Sequence, residues 1–385
     1  VETLDCGEHG TQVGNTCVCD EGYGRDATGK CVAKSSGAYE PVSKEKANFV
    51  NEEIDITNSN YVDVIGKNYD ESVKNPEAQI RGNQYDLYLS HVDLNAYVTT
   101  DQTIDHKATI NINNLSDGDV YALKTNEAKN IFLSFLSLDT NQYSKEGTES
   151  ALINVTNGGK IEGTENFYTG GNGNVYGVYG GEDTKIYTMA QELTGGASVN
   201  NDKLDRTTEI NITSIGSGNV YGIYGLGDIY NTLFKVDSFD DNNYYGTHDK
   251  TENAIINVES TGSGNVYGIY GDVGDVSNGG IINASSVDGD AHGVYTKSSL
   301  NNFGDVYSYS ENKNAYGLYN GKTLENLLNS GNVDVSAEWY DAYGMYSGAI
   351  AVINRGNIDV EAFGEQGSAY GIYIEDYTEN QIQDI

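Results

Sequence analysis

A chain of 385 residues with 57 Asp and Glu against 22 Lys and Arg carries a formal net charge of −35. That excludes nucleic-acid binding, whose affinity comes from cations that neutralise phosphate, and it equally disfavours anionic membrane surfaces. With 47 Gly, only 2 Pro and no sustained apolar pattern of helical period, a helix-rich fold is excluded and the turns must be built from Gly, Asn and Asp.

The four cysteines all fall within the first 31 residues, as Cys6, Cys17, Cys19 and Cys31. Such clustering signals disulfides and an oxidising, exported setting. A zinc site is the rival, but Cys-x-Cys is too short for the usual zinc knuckle and His9 has no paired His nearby. The segment Cys17-Val-Cys19-Asp-Glu-Gly22-Tyr23 resembles the second half of an epidermal growth factor-like module over residues 6–31. The resemblance implies the bridges Cys6–Cys17 and Cys19–Cys31; the family's first and third cysteines, which pair with each other, are both absent. A module of this size has too little core to hold itself without bridges. Residues 1–34 are therefore read as a disulfide module, and a first residue of Val implies a leader already removed.

Residues 35–104 show irregular strands, clearest at Tyr85–Leu89 and Asn95–Val98. They are expected to cap the downstream repeat array, whose first coil otherwise presents unpaired edges.

From about residue 105 to 385 the chain repeats. Val-Tyr-Gly-Val-Tyr at 175–179 returns as Val-Tyr-Gly-Ile-Tyr at 220–224 and 266–270, then as His-Gly-Val-Tyr, Tyr-Gly-Leu-Tyr, Tyr-Gly-Met-Tyr and Tyr-Gly-Ile-Tyr. The glycines are Gly177, Gly222, Gly268, Gly293, Gly317, Gly344 and Gly371, and the last four intervals are 25, 24, 27 and 27 residues. A second marker runs in phase: Gly280, Gly304, Gly331 and Gly356 lie in Asn-containing turns 13, 13, 13 and 15 residues before the Tyr-Gly element. Short alternating strands come after three of these turns, and upstream the same slot reads Ile110-Asn-Ile112, Ile153-Asn-Val155, Ile210-Asn-Ile212 and Ile256-Asn-Val258. The period predicts a β-solenoid of rungs near 25 residues, each with two or three strands.

Stacking places the same residue of successive rungs about 4.8 Å apart. Val178, Ile223, Ile269, Val294, Leu318, Met345 and Ile372 are then expected to form one inward column. Each preceding Gly is expected at a tight bend or a close backbone approach. The intervals of 45 and 46 residues before Gly222 and Gly268 are close to two periods each. In the second, Tyr245-Gly246 reads as a degenerate rung; in the first, Gly195 to Arg206 reads as a long surface loop.

Asp272, Asp275, Asp288 and Asp290, with the run Asp237 to Asp241, are the densest carboxylates that could draw Ca2+, yet none has the ligand order of a calcium loop and solvated turns are the plainer reading. Asn154, Asn211 and Asn283 open Asn-x-Ser/Thr sequons within the repeating Ile-Asn slot, and Asn114 opens a fourth; the ladder slot favours a structural role over glycosylation. His106, His248 and His292 stand at different phases, His292 replacing a repeat Tyr, and pairs such as Glu338 with Asp341 or Glu361 with Glu365 are expected by chance. No catalytic residue is assigned.

The Asn-x-Gly turns with Tyr-Gly-Ile-Tyr strands resemble the passenger regions of bacterial autotransporters and related surface adhesins over residues 105–385. The resemblance implies an exported right-handed β-helix displayed by a carboxyl-terminal β-barrel; this chain shows no barrel strands. Two functions are expected from this reading. One is a non-catalytic extracellular adhesin whose Tyr-rich loops, such as Lys235 to His248, meet a host or cell-surface ligand. The other is a filament subunit stacking end to end with copies of itself, since Ile385 aligns with Gly331 and so falls in mid-rung. A polysaccharide-binding or polysaccharide-cleaving β-helix is the lesser alternative.

Overall fold

The computed structural model describes residues 102–114, 119–125, 129–139, 145–160, 168–169, 171–194, 204–240, 243–321, 325–348 and 351–375, and upstream the strands at 10–13, 16–19, 23–25, 31–33, 53–57 and 86–93. The described residues are all β, built mainly as three sheets of stacked parallel strands, with three two-stranded antiparallel pairs, Gly10–Val13 with Thr16–Cys19, Tyr23–Arg25 with Cys31–Ala33, and Gly159–Lys160 with Tyr168–Thr169, beside them. Each rung supplies one strand to each sheet in turn. In sheet I the strands run from Asp86–Asp93 to Ala351–Asn354, in sheet II from Glu53–Thr57 to Asn357–Ala362, and in sheet III from Val120–Thr125 to Ala369–Ile374. Two strands of the segment expected to be an irregular cap join this stack: Glu53–Thr57 pairs in parallel with sheet II, and Asp86–Asp93 with sheet I.

The long intervals are corrected by the pairing. Val175–Gly180 bonds directly to Val220–Gly225, and that strand directly to Val266–Gly271, so each interval is a single rung. Among the described residues the extra length lies in longer strands and in the strand Asn243–Asp249; residues 195–203 of the expected loop lie outside the described residues. Sheet II strands of 13 residues at 102–114 and 145–157 shorten to 6 at Ile281–Ser286, and sheet I strands of 12 residues at Ile229–Asp240 shorten to 3 at Val276–Asn278. Tyr245-Gly246 belongs to Asn243–Asp249, which folds back antiparallel on Ile229–Asp240 as a hairpin and is no rung. Arg206, expected in a surface loop, lies inside the strand Leu204–Ser214. Repeat markers fix the phase of each rung but carry no trace of local strand length, so spacing alone overcounts the wide rungs.

Val178, Ile223, Ile269, Val294, Leu318 and Met345 occupy successive register positions of sheet III and are wholly buried, while Ile372 of the same column is 46% exposed. They face Ile110, Ile153, Ile210, Ile256, Ile282, Val306 and Val333 of sheet II within one continuous core. The glycine before each column residue sits in a strand, and none of these glycines has a positive φ. A Cβ on Gly293 would lie 2.2 Å from Val306 Cγ1 and 2.8 Å from the Gly317 carbonyl oxygen. Close approach, and no bend in the left-handed region, is what excludes a side chain there. The ladder also skips the pair of glycines, running from Tyr176–Tyr221 to Val178–Ile223 with no change of register. Strict alternation would place Tyr176 and Tyr179 on opposite faces. The burial pattern instead breaks its alternation at the glycine, leaving both tyrosines off the buried face, and the same skip recurs in the other rungs of the sheet.

The second marker has a similar cause. A Cβ on Gly304 would meet the Gly280 carbonyl oxygen at 2.1 Å, and one on Gly331 the Gly304 oxygen at 1.9 Å. Beside them Asn231, Asn278, Asn302, Asn329 and Asn354 form a ladder in which each Nδ2 donates to the next Oδ1 at 2.7 to 2.8 Å. The ladder satisfies amides that the sharp corner between sheets I and II buries.

At the wide rungs the interior holds more than aliphatic side chains. Phe132, Phe135, Tyr187, Phe234 and Val236 form a separate buried cluster. Nearby, Arg206 Nε donates to Glu149 Oε2 at 2.6 Å, and Ser90 and Ser134 each donate to Glu149 Oε1 at 2.9 Å. Glu149 is 1% exposed and Arg206 6%, so the pair bridges sheets I and II away from water.

Candidate functional surface

The outer face of sheet III is covered by two aromatic ladders. The first runs Tyr121, Tyr176, Tyr221, Tyr267, His292, Tyr316, Tyr343 and Tyr370, with neighbouring centroids 4.6 to 5.0 Å apart and planes within 8° of parallel. The second runs Tyr179, Tyr224, Tyr270, Tyr295, Tyr319, Tyr346 and Tyr373 at 4.6 to 5.2 Å. The two meet edge to face, as Tyr221 meets Tyr224 at 5.4 Å and 89°. The rung spacing sets these distances, and aromatic pairs are favourable in both geometries. Burial pushes the phenols up: Tyr224, Tyr267 and Tyr316 rise to about 12, and Tyr176, Tyr319 and Tyr343 rise further.

Polar ladders flank them. At the corner entering sheet III, Oδ1 of Asp119, Asn174, Asn219, Asn265, Asp290, Asn314 and Asp341 each accepts the backbone N–H of its counterpart one rung on, at 2.8 to 3.1 Å. On the outer face of sheet II, Asn154, Asn211, Asn257 and Asn283 each donate Nδ2 to the Asn Oδ1 of the rung before, beginning with Asn111. The sequon nitrogens of Asn154, Asn211 and Asn283 are therefore engaged in the stack, and that of Asn114 donates to Asn157.

The acidic candidates are divided between two corners. Asp272 pairs with Lys297 at 2.5 Å and Asp275 accepts from Ser298 Oγ at 2.7 Å, both leaving sheet III. Asp288 accepts from Asn312 Nδ2 at 2.9 Å and Asp290 from the Asn314 N–H, both entering it. Among the described residues no group of three or more His, Cys, Asp or Glu converges on a metal position. His248 packs on Tyr230 and Phe234 in the hairpin, whereas His292 is one ring of the first ladder, so the histidines are not brought together. The hairpin itself holds Lys235 against Asp249 and exposes Tyr245. Asp241 and the bridges Cys6–Cys17 and Cys19–Cys31 lie outside the described residues.

A different set of side chains stands out. Tyr307, Trp339, Tyr340 and Phe363 are 44%, 57%, 45% and 61% exposed, and they fall on three successive rungs, in sheet II or in the turn leaving it. Tyr309 stands beside Tyr307 on the same strand face. Periodicity does not single them out because they break the repeat: Tyr307 and Tyr309 occupy slots that elsewhere hold Asn, Asp, Ser, Thr or Glu, and the signal that could have found them is that mismatch. Compared with protein-family models, curated proteins and solved structures, the chain matches none. Among the described residues no helix is long and apolar enough to cross a membrane.

Proposed function

We propose that this chain is an extracellular β-solenoid of a bacterial cell surface, related to autotransporter passengers, that serves as a rigid, non-catalytic adhesive scaffold. The observation that carries the reading is the exposed group Tyr307, Trp339, Tyr340 and Phe363, set among described residues whose other aromatic rings largely stack on one another. Large aromatic side chains left in water mark contact surfaces, where they supply most of the binding energy. The stacked ladders add the stiffness a displayed scaffold needs, because each rung is bonded to its neighbours at every corner. The Lys235 to His248 hairpin remains a second contact element through Tyr245.

The test is adhesion of beads coated with the chain to host epithelial cells and to bacteria. Coated beads adhere above an albumin control, and the triple substitution Trp339→Ser, Tyr340→Ser and Phe363→Ser lowers adhesion at least severalfold without changing the circular dichroism spectrum. Adhesion no greater than albumin on every cell type removes the reading.

A further inference from the structure

The Asn ladder of sheet II ends at Asn283. Asn111, Asn154, Asn211 and Asn257 each have Oδ1 filled by the Nδ2 of the next rung, but the position after Asn283 is Tyr307, and the one after that Asp334. Asn283 Oδ1 therefore stands as an unused acceptor at the floor of an open hollow of about 260 Å³. Tyr307 and Tyr309 rise from the middle of that hollow, flanked by Asn283 and Ser285 on one rung and Asp334 and Ser336 on the next. Tyrosines of the sheet III ladders have their faces covered by rings above and below. Tyr307 is 44% exposed and Tyr309 half-buried, and their counterparts on the adjacent rungs are the small or polar Asn283, Ser285, Asp334 and Ser336.

The chemistry of the lining selects the occupant. It offers acceptors in Asn283 Oδ1 and the Asp334 carboxylate, hydroxyls from Ser285, Ser336 and the two phenols, and no cation. A ligand must then present many hydroxyl donors and a weakly polar C–H face, and it cannot be anionic, since Asp334 and the chain's charge of −35 would repel it. A few placed polar groups beside aromatic walls are what a small-ligand site requires. We infer that the hollow around Tyr307 and Tyr309 binds a sugar unit of a neutral glycan, the rings stacking on the pyranose face while Asn283, Asp334 and the serines accept or exchange hydrogen bonds with its hydroxyls. The inference rests on the adhesive reading and names the ligand class for it.

The experiment is saturation-transfer NMR and calorimetry of the full chain with cellohexaose, mannohexaose and maltohexaose, against an oligogalacturonate of equal length. At least one neutral probe binds and the oligogalacturonate does not. Tyr307→Asn and Tyr309→Ser, which place in this rung polar residues that its neighbours carry in the same slots, each weaken binding at least tenfold with the melting temperature unchanged. Asp334→Lys also weakens the neutral probe and so separates recognition by the lining from nonspecific stacking. Failure of all three neutral probes, equal binding of the oligogalacturonate, or binding that survives both tyrosine substitutions overturns the inference. If the beads still adhere in that case, the adhesive reading stands with a protein partner; if they do not, both fall.

Discussion

His292 stacks on Tyr316 with ring centroids 4.6 Å apart and planes 3° from parallel, so an imidazole takes the place of a phenol in an otherwise continuous tyrosine ladder. It is 5% exposed, its Nδ1 is buried without a hydrogen-bond partner, and Tyr267 covers its other face. Burial lowers its pKa to about 3. The folded chain thus keeps this ring neutral where the unfolded chain binds a proton below about 6.5. Stability from this group is complete above that value and is lost as pH falls toward 3. Between pH 7.5 and pH 5 the loss is ~2 kcal/mol. Asp290, in the same corner, acts the other way, since burial raises its pKa and the cost of its charge is relieved as pH falls through that value. Urea unfolding at the two pH values should show His292→Tyr abolishing most of the acid-side loss; an unchanged pH dependence would refute the burial argument.

The ladder phenols predict the alkaline limit. Tyr224, Tyr267 and Tyr316 have folded values near 12 against about 10 when unfolded. The stability they contribute is intact below 10 and is lost as pH rises through 12. Phenolate absorbance should therefore rise in two stages, exposed tyrosines first, and the second stage should coincide with loss of the β circular dichroism signal. A single smooth titration with the fold intact would contradict it.

Glycines in one sequence slot should differ in tolerance. Gly293→Ala forces a Cβ to within 2.2 Å of Val306 Cγ1 and should cost ~3 kcal/mol or more, the upper range for overpacking. Gly371→Ala meets nothing within 4 Å and should shift stability by less than ~0.5 kcal/mol. Thermal melts of the two variants decide it, and equal losses would mean that the contact made by the added Cβ does not govern the slot.

Arg206→Met leaves the Glu149 carboxylate buried with only Ser90 and Ser134 as partners. Breaking one side of such a pair should cost ~3–5 kcal/mol, and adding Glu149→Leu should recover much of it because an apolar pair of similar volume replaces two desolvated charges. A double-mutant cycle measures this; a double variant no better than Arg206→Met would show that the pair sets the packing of the wide rungs.

The repeat was legible because a solenoid writes its period directly into the chain. Gly280, Gly304, Gly331 and Gly356 recur where backbone must lie on backbone, and Val178 to Met345 recur where one sheet meets the core, so spacing alone determined the parallel stack, the inward column and the tyrosine-bearing strand. Tertiary structure decided what depends on a neighbour's identity. Whether 45 residues make one rung or two turned on strand length and on the hairpin at Asn243–Asp249, which pairing resolves and spacing cannot. Glu149 and Arg206, 57 residues apart in the chain, meet because adjacent rungs bring them to one interior point. That Tyr307 and Tyr309 lie between slots without rings, Asn283 and Ser285 on one side and Asp334 and Ser336 on the other, follows only from the pairing of the rungs. Periodicity records what every rung shares; a binding hollow arises where one rung departs from its neighbours, and only stacking shows what that departure leaves uncovered.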